Sequence, residues 1–572
     1  MHPTHIALFS LFVFASSFTA QAQSVLRSDQ SLVEQPGTNL VSGVAEAIDY
    51  NALLYRFMLS KKARSIGENY GVSERVLKQF YKARSYDPVW IGTPERLEAL
   101  RDYINALERD GMTPQDYNVS DIHAKRTSKN IVNDYRISAA YIRLVRDLDK
   151  GRYNPRARIN SAKLALKGLE ADSLNLWLDS LLPQNELYAD LREALRHYHK
   201  IEREGELPLI EPNGMLRPNM SDTRIPLIRD ILRKTGDLND IASVEEALEQ
   251  EAHTSYEAAA QILTNSESTQ TNTKQFPTNS TDTNAYDPQL LAAVKRFQQR
   301  HGLKADGVIG PATYRELNTS SEFRILQIKA NMERLRWEFE PNNGRYVRVN
   351  MASYKLDAYQ DGQKVLEMPV IVGRSRRPTP VLADKIVNLK FRPDWTVPPT
   401  IFAKDYLPKL LANPSYAENK GFEMYHNGKR ISSRSASLKN VLHEVKLRQP
   451  PSPSAALGAV RFSLTNNLSI YLHDTPTKSL FKHDKRAYSS GCVRVGKPQA
   501  LAEYVMNDPQ NYPSERVRRL MQSGNTKWVP VPESVQPTVY LSYVTVFKDD
   551  KGDLNFLEDF YGYDNEMMLY YL

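Results

Sequence analysis

A chain of 572 residues exceeds what one hydrophobic core organises, and at roughly 150 residues per domain it divides into about four units. Hydrophobic residues at 41% and charged residues at 25% suit packed globular domains, and no apolar run of about 20 residues follows the N-terminal stretch, which excludes a polytopic membrane protein. The single cysteine, Cys492, excludes an intramolecular disulfide framework and a zinc site built on several thiolates. The net charge of +8 is spread thinly, without the basic runs that nucleic-acid binding requires, so no nucleic-acid partner is expected.

The chain opens with an apolar stretch from Ile6 to Phe18, followed by Ala20-Gln21-Ala22, a small-x-small pattern. This reads as a signal peptide over residues 1–22, cleaved near Ala22, and predicts export. No cysteine follows the run, so a lipoprotein anchor is excluded and no stable membrane anchor is expected after cleavage. Residues 23–44, polar and carrying Gln35-Pro36-Gly37, read as a flexible lead-in. Residues 45–221 read as a helical scaffold. Leu97, Leu100, Ile104 and Leu107 recur at helical spacing before Gly111, and Ala139–Leu148 and Leu191–Ile201 have the same character. In residues 222–320, Ile228, Ile231 and Leu232 predict a short helix ending at Gly236, and Leu290, Leu291, Val294 and Phe297 another ending at Gly302. Between them, residues 264–284 are dominated by Ser, Thr, Asn and Gln and read as a disordered insertion.

A helical connector over residues 321–344 leads to a segment of period two. Tyr346–Asn350 and Lys355–Tyr359 alternate, and Asp361-Gly362 predicts a hairpin turn into Val365–Val372. Further strands are expected at Ile386–Phe391, Arg461–Leu464, Leu468–Leu472 and Val539–Phe547, so the β-rich unit spans residues 345–540. Within it, residues 395–455 lose the alternation, hold Pro398-Pro399 and a helical Ile401–Leu411, and read as a mixed capping insertion. Residues 541–572 form a C-terminal extension with no assigned role. The expected fold class is multidomain α+β.

Chemistry concentrates in Tyr471-Leu472-His473-Asp474-Thr475 and Ser489-Ser490-Gly491-Cys492-Val493-Arg494. A thiolate is the reactive form of cysteine, and a neighbouring imidazole can lower the thiol pKa and shuttle its proton. His473 closes a strand far enough upstream for the chain to return beside Cys492. Gly491 permits the backbone angles that aim N–H groups of the Ser490-Gly491-Cys492 turn at an oxyanion. Arg494, two residues past Cys492, points to the same side and suits a substrate carboxylate, against the alternative of a surface ion pair. Tyr471 shares the face of His473 and is either an oxyanion donor or a packed aromatic. His473 and His483 have only one thiol near them, so neither a metal site nor a cofactor is expected.

His473-Asp474-Thr475 with Ser489-Ser490-Gly491-Cys492-Val493-Arg494 resembles the signature of the L,D-transpeptidases of bacterial peptidoglycan, with Ser490 where a histidine is usual. The resemblance extends to Arg392–Pro399 and to the hairpin at residues 346–373. Ala293–Gln299 with Gly302-Leu303, Asp306-Gly307 and Gly310–Thr313 is similar to the small three-helix peptidoglycan-binding module, and Tyr86–Trp90 and Gly151–Pro155 to the scaffold of the large periplasmic members. The resemblance implies a two-step acyl transfer, with Cys492 as nucleophile, His473 as proton shuttle, and the Gly491 backbone at the oxyanion. It implies substrate contacts for Arg494, Tyr471, Ser490, Ser489 and Trp395. It further implies peptidoglycan tetrapeptide stems as donor and acceptor, penicillin-binding proteins as candidate partners, a periplasmic location, a role in cell shape and susceptibility to carbapenems. Hydrolysis or D-amino-acid exchange at the same site, and a non-catalytic peptidoglycan-binding protein, are the competing readings.

Overall fold

The computed structural model describes residues 49–118, 130–154, 161–238, 283–337, 344–432 and 444–571. The expected signal peptide, the lead-in and residues 264–282 of the expected insertion lie outside the described residues. The chain divides into residues 1–50, of which only Asp49 and Tyr50 are described, and one compact unit over Asn51–Leu572.

Helices of the scaffold begin and end on side chains suited to those positions. Asn130 accepts from the Val132 and Asn133 N–H groups and starts Ile131–Lys150, which Gly151 ends at φ 78°. Asn185 starts Glu186–Glu204 in the same way. Pro94–Asn105 buries Leu97, Leu100 and Ile104, and Gly111 (φ 68°) closes the short 3-10 turn that follows. Asp134 is buried and accepts from the backbone N–H groups of Val89, Trp90 and Ile91, which docks the Tyr86–Trp90 turn onto the longest helix. The smaller module holds helices Ile225–Lys234, Pro288–Arg300 and Pro311–Leu317 around Ile228, Leu232, Leu290, Val294 and Phe297.

The β-rich unit is built on β1 (Tyr346–Asn350), β2 (Lys355–Gln360), β3 (Gln363–Gly373) and β4 (Leu382–Phe391). Asp361 and Gly362 turn β2 into β3 with φ 51° and 81°, the paired positive angles of a two-residue hairpin loop. Between β4 and its antiparallel neighbour β9 (Val460–Leu464) lies the cap, with β5 (Trp395–Thr396), β6 (Glu423–His426), β7 (Lys429–Ile431) and β8 (Lys446–Gln449) in the order β5-β8-β6-β7. The cap has its own apolar cluster, including Val397, Phe402, Leu410, Phe422, Met424 and Leu447. The chain continues through β10 (Leu472–His473), β11 (Ala487–Ser489), β12 (Val493–Val495), β13 (Lys527–Pro530) and β14 (Thr538–Ser542). The order β3-β12-β10-β9-β4-β14-β1-β2 returns to β3 through the β2–β3 pairing, so eight strands close a ring, with β11 and β13 added beside β3 and β4. Closure removes the free edges of these eight strands. Val347, Val349, Leu356, Val370, Leu389, Phe462, Leu472, Val493 and Val495 fill one cluster with Leu501 and Val505 of helix Pro498–Met506.

Two expected strands are interrupted. Ser469 lies at φ 60° and the Asn466 side chain accepts from the Leu468 and Ile470 N–H groups, so the run expected over Leu468–Leu472 reaches strand geometry only at Leu472. Val539–Phe547 breaks after Ser542 and resumes as β15 (Val546–Lys548), which pairs with β16 (Leu554–Phe556) away from the ring.

The helix Ser321–Trp337 is more than a connector. It buries Arg324, Gln327, Asn331, Glu333, Arg334 and Arg336, and each finds a polar partner. Arg334 pairs with Asp564 of the final helix, Tyr563–Met568, and Asn331 donates to Thr545 at 2.8 Å. Val544, Val546 and Phe556 of the C-terminal segment belong to the scaffold's apolar cluster together with Ile325, Ile328 and Met332. The tail therefore joins the scaffold core to the strand ring. Asp564→Ala leaves the buried Arg334 guanidinium without its carboxylate, and the expected loss is about 3–5 kcal/mol of unfolding free energy. Denaturant titration measures it, and a loss below about 1 kcal/mol would show the pair to be dispensable.

Candidate functional site

β10 and β12 run parallel, with Leu472 opposite Val493 and His473 opposite Arg494. Because Leu472, Val493 and Val495 enter the apolar cluster, alternation sends Tyr471, His473, Cys492 and Arg494 to the other face. The Val493 N–H donates to the Tyr471 carbonyl at 3.1 Å and fixes that register. The same face continues across the sheet: Arg461 on β9 stands opposite His473, Lys390 on β4 opposite Arg461, and Trp528 on β13 opposite Lys390. One cross-strand row thus reads Arg494, His473, Arg461, Lys390, Trp528. Arg461, Lys390 and Trp528 carry no local motif and become visible only through the register.

His473 is buried, and its Nδ1–H donates to the Asp474 carbonyl oxygen at 2.5 Å. A carbonyl can only accept, so the tautomer is set and Nε2 keeps the free lone pair. Burial, with the positive charge of Arg494, pushes the imidazole down to about 3. The Asp474 side chain is engaged elsewhere, by Lys478 and by the Ala459 N–H at 2.8 Å. The Cys492 S–H donates to the Ser469 carbonyl at 3.6 Å, and the Tyr471 N–H and hydroxyl both interact with the sulfur. Burial outweighs these donors and pushes the thiol up to about 11. The imidazole does not depress the thiol; at neutral pH both groups are uncharged.

The turn before Cys492 differs from the expectation in two respects. Gly491, at φ 121°, donates its N–H to Ser489 Oγ at 3.1 Å, so that donor is not free for an oxyanion. Ser489 is buried, and its hydroxyl also donates to the Cys492 carbonyl at 2.5 Å, so it shapes the turn from within. The Cys492 N–H has no hydrogen bond among the described residues, and it and the Tyr471 hydroxyl stand next to the sulfur as donors. Ser490 Oγ accepts from Arg374 at 3.1 Å and Arg377 at 3.2 Å, and Arg377 also pairs with Asp405 of the cap. Trp395 is half-buried beside Tyr406 and Phe422, and its indole N–H, which lacks a hydrogen-bond partner, lies near the Tyr471 hydroxyl. The Arg494 Nε is likewise buried without a partner.

The turn is held from behind by residues that sequence patterns do not reveal. Thr379 Oγ1 donates to the Gly491 carbonyl at 2.7 Å and accepts from the Gly373 N–H at 2.9 Å. Tyr561 of the C-terminal segment accepts from the Thr379 N–H at 3.1 Å and donates to the Gly373 carbonyl at 2.6 Å. A Cβ at Gly373 would lie 2.3 Å from the Arg377 carbonyl oxygen, so only glycine lets these segments meet.

Tyr561→Phe leaves the Thr379 N–H and the Gly373 carbonyl unpaired; the expected cost is about 1–3 kcal/mol in denaturant unfolding, with slower alkylation of Cys492. An unchanged midpoint together with an unchanged rate would uncouple the tail from the turn. Iodoacetamide alkylation of Cys492 should rise about tenfold per pH unit between roughly pH 7 and 10, as the thiolate fraction does below a high pKa. A plateau near neutrality would reveal a standing thiolate–imidazolium pair. For His473, whose folded value of about 3 lies below the ordinary 6.5, the unfolded chain binds the proton first. Its contribution to stability is therefore complete above 6.5 and is lost as pH falls from 6.5 towards 3.

Parts of the chain are similar to known families. Residues 344–529 match the YkuD family model, described as "L,D-transpeptidase catalytic domain". Residues 75–195 match "Scaffold domain" and residues 272–317 match "Putative peptidoglycan binding domain". A "Putative L,D-transpeptidase" of Haemophilus influenzae is 35% identical over 254 residues, 44% of this chain and 51% of that one, so the chain spans about half the length of this curated relative. Among solved structures, an L,D-transpeptidase (Yku) from Stackebrandtia nassauensis is 14% identical over 58% of this chain and 97% of that chain, at a TM-score of 0.18. The Ldtfm–avibactam carbamoyl enzyme is 13% identical over 35% of this chain and 49% of that chain, at a TM-score of 0.17. Both scores are too low to carry a shared fold. Three stretches of the chain are thus similar, in turn, to a scaffold domain, a peptidoglycan-binding domain and the L,D-transpeptidase catalytic domain of the YkuD family.

Proposed function

We propose that the protein is a periplasmic L,D-transpeptidase that forms third-to-third-residue cross-links between peptidoglycan stems through a cysteine acyl-enzyme. The observation that carries this reading is the parallel β10–β12 register, which sets Cys492 and Arg494 beside Tyr471 and His473 on one face. In the first step the Cys492 sulfur adds to the carbonyl of the third stem residue as the thiol proton passes to His473 Nε2. Since both groups are neutral at rest, deprotonation accompanies attack and does not precede it. The Cys492 N–H and the Tyr471 hydroxyl stabilise the oxyanion. Collapse expels the terminal D-alanine, whose amine takes the proton from His473, and a thioester remains. An amine of a second stem then attacks the thioester, gives its proton to His473, and releases the cross-link and the thiol.

Arg494, half-buried with its Nε unpartnered and without a carboxylate partner among the described residues, anchors a stem carboxylate. Trp395 of the cap, beside the Tyr471 hydroxyl, screens the thioester from water, which favours the amine over hydrolysis. Ser490 acts through its two arginines and not on substrate. The signal peptide over residues 1–22 supports export, and penicillin-binding proteins are candidate partners.

Incubation of the full-length protein with tetrapeptide muropeptides, followed by mass spectrometry, is expected to yield a dimer lacking one D-alanine. Tripeptide alone would mean hydrolysis, exchanged fourth residues would mean D-amino-acid exchange, and unchanged substrate would reduce the protein to a binder. Cys492→Ala should abolish both turnover and carbapenem acylation. His473→Ala should lose about two to four orders of magnitude in rate. If that loss is less than about tenfold in a folded variant, the proton shuttle is a different group.

A further inference from the structure

The row beyond His473 holds a second guanidinium that the mechanism leaves unused. Arg461 lies 5.1 Å from the Tyr471 ring centroid and 5.3 Å from that of Trp528. Its hydrogen bonds run to Ser463 Oγ at 3.1 and 3.3 Å, and no carboxylate among the described residues pairs with it. Lys390, next in the row, pairs with Asp394, which Arg448 also contacts. Arg494 and Arg461 are therefore the two cations of the row without an acidic partner, one on each flank of His473. With strands about 4.8 Å apart, their backbones stand about 10 Å from each other. Two unpaired guanidiniums around a neutral imidazole repel each other, and an anionic ligand removes that cost. Arg461 is also held for binding: a planar fork between two aromatic rings loses little freedom when a carboxylate meets it edge-on. Trp528, 52% exposed, leaves an aromatic wall open to solvent at the end of the row.

We infer that Arg461, framed by Tyr471 and Trp528, is a second carboxylate-binding subsite, on the side of His473 opposite Arg494, for a carboxylate of the stem peptide. This rests on the transpeptidase reading for the identity of the peptide. The carboxylate belongs either to the acyl donor or to the acceptor, and the chemistry of recognition is the same.

Binding separates the subsite from the chemistry. In full-length protein carrying Cys492→Ala, calorimetry measures the affinity of a tetrapeptide stem, the donor, and of a tripeptide stem, which can serve only as acceptor. Adding Arg461→Lys, which keeps the charge but loses the fork, or Arg461→Gln, should weaken one of the two by about tenfold or more. Loss for the tetrapeptide assigns the donor, and loss for the tripeptide alone assigns the acceptor. Amidating the stem's carboxylates should erase the difference between Arg461 and its variants. Iodoacetamide alkylation of the single Arg461→Lys variant, with Cys492 present, should match that of the unaltered protein, which keeps the effect apart from tuning of the thiol. Both affinities unchanged within about twofold in folded variants, or an equal loss for amidated stems, would overturn the subsite. Failure of the unaltered protein to release D-alanine, with Arg461-dependent binding intact, would instead reject the transpeptidase reading.

Discussion

The site depends on a parallel ladder only two residue pairs long, Leu472 with Val493 and His473 with Arg494. Apolar burial sets its register: Leu472 and Val493 are fully buried, and a one-residue slip would drive His473 and Arg494 into the core and turn the leucine and valine outward. The cost of burying those polar groups unpaired exceeds anything so short a ladder could recover locally. The long strands β3 and β4 support it from both sides. Each has a ring neighbour on either side, β3 between β2 and β12 and β4 between β14 and β9, which closes the ring and leaves β12, β10 and β9 between them.

That arrangement explains the electrostatics. His473 and Cys492 sit on a face crowded by Arg461 and Arg494, and desolvation pushes both towards neutrality from opposite directions. A standing thiolate would need the surroundings to favour charge, and here the sulfur receives only the Tyr471 donors and distant guanidiniums. The reactive pair is consequently quiet at rest. In the proposed mechanism, charge appears only when a carbonyl is present to accept the electrons, in a place already lined with donors.

Much of this was legible in the chain. Period two located the ring strands, and the Asp361-Gly362 turn was evident because two adjacent positive φ angles select such residues. Cys492 and His473 stood out because Gly491 and the strand-end histidine are local signals. The rest depends on contacts that no local pattern encodes. No local pattern shows that the Ser489 hydroxyl is engaged by the Gly491 N–H and the Cys492 carbonyl. Arg461 lies in an ordinary alternating strand, and only the register opposite His473 gives it significance. Helix Ser321–Trp337 reads as a plain connector because its buried face is polar, and its partners Asp564 and Thr545 are supplied more than two hundred residues later.

The turn that carries Cys492 is thus gripped by two sets of contacts. Thr379 and Tyr561 hold the Gly491 carbonyl and the backbone behind it, so the tail that locks into the scaffold core also sets the turn. Arg374 and Arg377 hold Ser490, and the same two arginines face Asp405 of the cap. The Arg374 N–H also donates to the Ser489 carbonyl at 3.1 Å. Because the cap enters and leaves through neighbouring antiparallel strands, its root cannot shift without disturbing the β4–β9 ladder, and Asp405, near the start of the insertion, ties that root to Arg377. Displacing that carboxylate would leave Arg377 with Ser490 as its remaining side-chain partner and strip charge compensation from the loop touching the Cys492 turn. The position of the cap and the geometry of the turn are in this way coupled through a single pair of guanidiniums.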